Sequence, residues 1–98
     1  MVKGRTASGF NFEVDEDLLN DFMFMRAIKK ANSGDPDEQI EGTVDLVKIV
    51  FNDKKEEERF LNHLAKLHGG RVPAETIGED IGSILSALEK SGEEAKNS

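Results

Sequence analysis

The chain has 98 residues, 37% hydrophobic and 34% charged, with 20 acids against 13 bases and no cysteine. That length accommodates one small core, and the missing cysteines remove disulfides, thiolate nucleophiles and Cys-based zinc sites together. A formal net charge of -7 argues against nucleic acid as a partner, since that affinity comes largely from clustered Lys and Arg, and no apolar run approaches the roughly 20 residues that cross a bilayer.

Near the start, Phe10-Asn11-Phe12-Glu13-Val14 alternates apolar with polar at period two, the mark of a half-buried strand. Ala7-Ser8-Gly9 turns it back on Val2 to Thr6, which predicts a hairpin over 2–14 whose apolar face needs a helix to cover it. From Asp15 the period changes. Leu18, Phe22, Met25 and Ile28 fall on one stripe of a helix expected to run unbroken to about Ala31, with acids at its start and Lys29 and Lys30 at its end. Asn32-Ser33-Gly34 stops it, and Asp35-Pro36-Asp37-Glu38 opens a second helix with a capping residue, a proline at the first helical position and a glutamate three residues after the cap. Ile40, Val44 and Val47 supply the stripe of this helix, which is expected to end near Asn52 although Val47-Lys48-Ile49-Val50-Phe51 also carries strand propensity.

Asp53 with Glu56 repeats the cap arrangement, and Phe60, Leu61, Leu64 and Leu67 follow at helical spacing until Gly69-Gly70 closes the segment. After Val72-Pro73, the residues Ile77, Ile81, Ile84, Leu85 and Leu88 form the face of a last helix. Beyond Glu89 the one hydrophobe is Ala95, which predicts a polar, disordered tail. The expected fold class is therefore mainly α: a compact bundle of about four helices with a short N-terminal β-hairpin packed against it, in one domain over 1–90, followed by the tail 91–98.

Constellations that could carry chemistry fail on spacing. Asp35, Asp37 and Gln39 open like a calcium loop, but Ile40 stands where the loop needs Gly and Leu46 where it needs a bidentate Glu. His63 and His68 are five apart and miss the geometry that lets two imidazoles share a metal on one helix face. Ser83 invites comparison with the serine of an acyl carrier protein, yet it follows Gly82 within a helix, and its bland alternative is an exposed or back-bonded helical serine. No nucleophile elbow and no phosphate-cradling glycine loop is present, so no enzymatic activity, cofactor or metal is expected.

Two features point to binding. Around Phe22-Met23-Phe24-Met25 the first helix is wider than one core stripe requires, with Leu19 and Met23 spreading to one side and Phe24 to the other. Met and Phe together make an adaptable contact surface. The second is Gly78-Glu79-Asp80-Ile81-Gly82, whose small residues four apart would let another helix approach closely and leave room for a homo-oligomer.

The order of these pieces resembles one family. An aromatic extended start (Phe10-Asn11-Phe12-Glu13-Val14-Asp15) runs into an acid-capped helix, then Ser33-Gly34-Asp35-Pro36 and an aliphatic helix, then a charged helix, Gly70-Arg71-Val72-Pro73, an Ile/Leu helix and a polar tail. Over roughly residues 9–90 this looks like a tail assembly chaperone of long-tailed bacteriophages, encoded by a phage or prophage. The resemblance implies a non-catalytic protein of the host bacterial cytoplasm, absent from the mature virion. It would keep the tape-measure protein soluble and help recruit the tail-tube protein, with Leu19, Met23 and Phe24 as the candidate partner-binding surface. Family members are often also made as a longer frameshifted product, and Ala95-Lys96-Asn97 can be encoded by a slippery run, GCA AAA AAC. The alternative class is a small acidic interaction module, of antitoxin or anti-repressor type, that binds a basic partner with steep salt dependence.

Overall fold

Two short strands begin the chain. In the computed structural model, which describes the backbone of residues 1–97 and the side chains of residues 1–92, β1 (Val2–Arg5) pairs antiparallel with β2 (Asn11–Val14), Val2 opposite Val14 and Gly4 opposite Phe12. The turn between them closes through Thr6 N–H to Phe10 O and Gly9 N–H to Thr6 O, each at 2.9 Å, with Gly9 at a φ of +92°. Alternation puts Phe10, Phe12 and Val14 on one face, and all three are buried. Gly4 is needed beneath Phe12, because a Cβ there would stand 2.9 Å from the ring.

The first helical segment departs from the expected single helix. A short 3-10 helix (Glu16–Asn20) capped by Asp15 ends at Asp21, whose extended backbone, with a ψ of 122°, starts α1 (Phe22–Ala31) afresh. Asp21 Oδ1 accepts from the backbone N–H of Met23 at 2.8 Å and of Phe24 at 3.1 Å, the bonds of an N-cap. A break resets helical phase, so Leu18 no longer predicts the partners of Phe22. The residues that α1 turns inward are Phe24 and Ala27, with Ile28 and Ala31 partly covered, a spacing of three and four.

The other helices begin where the sequence reading puts them. Asp35 caps α2 (Pro36–Val50) by accepting from Asp37 N–H at 3.0 Å, with Pro36 in the first turn, and Asp53 caps α3 (Lys54–Leu67) by accepting from Lys55 N–H at 2.9 Å. The end of α2 is helical in spite of its β-branched residues. Gly69 and Gly70, at φ of +66° and +96°, terminate α3, with Gly70 N–H returning to Ala65 O at 2.7 Å. Next comes α4 (Ala74–Asn97), whose backbone stays helical past Leu88, its last buried residue among those described. Of the expected disordered tail, Ser98 and the side chains from Glu93 onward, those of Ala95-Lys96-Asn97 among them, lie outside the described residues.

The four helices and the hairpin make one compact globule around a common core. Phe51 and Phe60 stack with ring centroids 4.5 Å apart, and Phe10 of the hairpin meets both edge-on, at 5.7 and 5.3 Å, so one aromatic cluster ties the hairpin to α2 and α3. On the other side α1 and α2 form a helical hairpin that crosses at Gly42, where a Cβ would stand 2.3 Å from Ala31 N and 2.8 Å from Ala27 O. The close-approach glycine is therefore Gly42. At Gly78 and Gly82, where the sequence pattern suggests close helix contact, an added Cβ meets nothing within 4 Å.

Candidate partner-binding surface

The reset at Asp21 decides which apolar side chains of α1 remain available. Phe22 is 68% exposed, Met25 50% and Met23 48%, whereas Phe24 is fully buried. Of the three residues expected to form a contact surface, Met23 is exposed, Leu19 packs half-buried against the core, and Phe24 belongs to the core itself. Phe22 and Met25, which a continuous helix would have turned inward, take its place. At about 100° per residue Phe22, Met25, Arg26 and Lys29 share the side of α1 opposite Phe24 and Ala27, while Met23 lies toward one edge with Lys30.

Charge divides these edges. Lys30 Nζ lies 2.8 Å from Glu41 Oε1 and 3.9 Å from Asp45 Oδ2, and this bond and charge hold the Glu41 carboxyl below its ordinary value of 4.5. Arg26 and Lys29 form no ion pair among the described residues. Met23 instead lines an open cleft of about 580 Å³ with Met1, Leu18 and Ile49, edged by Asp15, Asp21, Asp53 and Lys48. A third apolar surface lies between α2, α3 and α4, where Val44, Val47, Leu61 and Ile77 surround a cavity of about 140 Å³. Ile40 and Val44, read from periodicity as core, are both exposed on α2, and only Val44 of the two lines this cavity.

The turn of the hairpin is pinned by a polar cluster that the sequence reading missed. Asp80, fully buried on α4, accepts from Thr6 Oγ1 at 2.7 Å, from Ser8 N–H at 3.0 Å and from Ser8 Oγ. His63 Nε2 lies 3.1 Å from both Ser8 Oγ and the Ser8 carbonyl oxygen. Because a carbonyl can only accept, Nε2 carries the proton and serves as a donor. Ser8 gives its own hydroxyl hydrogen to Asp80, so the imidazole is not placed as a base for that hydroxyl, which a nucleophilic serine requires. Ala7 N–H donates to Ser83 Oγ at 3.0 Å, and Ser83 Oγ donates to Glu79 O at 3.1 Å. Ser83 is thus bonded back to its helix. The cluster leaves no buried side-chain N or O without a partner among the described residues, which suits an anchor for the hairpin. The signal that could have found it is Thr6-Ala7-Ser8-Gly9, a run of turn hydroxyls, although nothing local points from it to residues more than fifty positions away.

Of the residues weighed as metal ligands, Asp35 is the N-cap of α2, Asp37 sits in its first turn, and His68 is the C-terminal cap of α3. Among the described residues no helix is long and apolar enough to cross a membrane. No protein-family model, curated protein or solved structure matches the chain.

Proposed function

We propose that this protein is a non-catalytic chaperone that covers an apolar helical partner, as the resemblance to phage tail assembly chaperones implies, the client being the tape-measure protein, around which it assists assembly of the tail-tube protein. The observation that carries this reading is the exposure of Phe22, Met23 and Met25 within four consecutive residues of one short helix. Large apolar side chains grouped on a surface favour association, and a phenylalanine beside two methionines adapts to more than one partner shape. The net charge of -7 would keep such a complex dispersed. The polar cluster around Asp80 supports a non-catalytic role, since its hydrogen bonds hold the hairpin to the helices.

Co-expression tests this. With the wild-type chain, a tape-measure protein that aggregates alone is expected in the soluble fraction and in a complex recovered by gel filtration. A Phe22→Ser/Met25→Ser variant should unfold at the same temperature and leave the client insoluble. A client whose solubility is unchanged by the wild-type chain would refute the proposal.

A further inference from the structure

The apolar ridge of α1 lies among bases in an otherwise acidic molecule. This helix carries Arg26, Lys29 and Lys30 and no acid, so all twenty Asp and Glu residues of the chain lie elsewhere. Lys30 is engaged by Glu41 and Asp45, but Arg26 and Lys29, the two bases on the side of Phe22 and Met25, form no ion pair among the described residues. Two bases without an ion pair thus stand beside the exposed Phe22 and Met25, with Arg26 adding to the Lys30 hydrogen bond and charge that hold the Glu41 carboxyl below its ordinary value.

We infer that this ridge takes an amphipathic helix whose apolar stripe is flanked by carboxylates, a specification of the client that rests on the binding role proposed above. The spacing of Phe22, Met25, Arg26 and Lys29, at i, i+3, i+4 and i+7, makes a row that another helix can receive between its own rows of side chains. Apolar contact supplies the affinity, and carboxylates opposite Arg26 and Lys29 select partner and register. A second copy meeting this one through the same ridge is disfavoured, because a two-fold contact is self-complementary and would bring these bases against their own equivalents.

The experiment uses the full chain and three labelled helical peptides of about 18 residues that share one leucine stripe and differ in its flanks, which are Glu, Gln or Lys. Vesicles of phosphatidylglycerol form a separate arm. At low salt the Glu-flanked peptide is expected to bind about tenfold tighter than the Lys-flanked one, with the difference shrinking in high salt. Arg26→Glu/Lys29→Glu should reverse that order, and Phe22→Ser should weaken every peptide, with far-UV circular dichroism confirming that both variants fold. Equal binding of the three peptides, still lost with Phe22→Ser, would overturn the charge selection and leave the apolar binding role standing. Preference for the Lys-flanked peptide would overturn it in favour of an acidic module for basic partners. Binding to the vesicles without binding to any peptide would overturn it in favour of a lipid surface. Binding to neither would remove this ridge as a docking surface, while the solubility of the tape-measure protein would decide the chaperone role independently.

Discussion

Replacing Gly42 with alanine should destabilise the protein even though alanine is the better helix former. Built on this backbone, the new Cβ lies 2.3 Å from Ala31 N, 2.7 Å from Lys30 Cβ and 2.8 Å from Ala27 O, against at least 3.4 Å for ordinary contact. Two of the three obstacles are main-chain atoms of α1, so no rotamer change relieves them and the helices must separate by about 1 Å. A gap of that size forfeits roughly a quarter to a half of each contact across it, and Phe24, Ala27, Leu46 and Val50 are all buried on these two helices. Overpacking of a core ordinarily costs about 1–3 kcal/mol, and main-chain obstacles put this site at or somewhat above the upper end. Alanine returns about 1 kcal/mol of helix propensity, leaving a net loss of about 2 kcal/mol and a fall in Tm of about 10–15 °C. Urea and thermal unfolding followed by far-UV circular dichroism measure this directly in a chain with no Trp or Tyr. Gly78→Ala and Gly82→Ala are internal controls, since both positions are helical with open space around the added Cβ, and each should gain about 0.5–1 kcal/mol. If Gly42→Ala were as stable as the wild type or gained alongside the controls, the close crossing of α1 and α2 would be refuted.

Three further substitutions test the remaining structural assignments. Phe24→Ala should cost about 3–5 kcal/mol in urea unfolding and Phe22→Ala no more than about 0.5 kcal/mol; the opposite ranking would mean that α1 faces the other way. Asp80→Ala leaves the hydroxyls of Thr6 and Ser8 and the N–H of Ser8 without their acceptor, which should lower stability by about 2–4 kcal/mol and speed hydrogen exchange at the Ser8 amide. Unchanged exchange there would show that the turn is held by something other than Asp80.

Legibility in the sequence followed the range of the interactions involved. Asp35-Pro36, Asp53 and Gly69-Gly70 mark helix ends through hydrogen bonds and φ preferences within a few residues, and each does so in the structure. The alternation of Phe10, Phe12 and Val14 likewise identifies a strand with one buried face. Asp15 and Asp21 both cap in the structure, whereas the stripe of Leu18, Phe22, Met25 and Ile28, which spans Asp21, has the period of one unbroken helix. Once Asp21 starts the helix anew, the phase set by Leu18 does not carry across, which is why Phe24 and Phe22 exchange places between core and surface.

What the sequence determined by itself is the hairpin, the starts of α2, α3 and α4 and the end of α3, because caps, turns and hydrophobic periods are satisfied by near neighbours along the chain. Which face is covered was legible for α3 and α4 but was decided only by tertiary structure for α1 and α2. Gly42 looks like any helical glycine until the backbone of Ala27 to Ala31 lies against it, and Asp80 looks like a surface acid until Thr6 and Ser8 arrive from more than seventy residues away. The exposed ridge of α1 is a product of the same packing: the face left outward is the one that Gly42 and the core did not take, since α1 can bury only one of its sides.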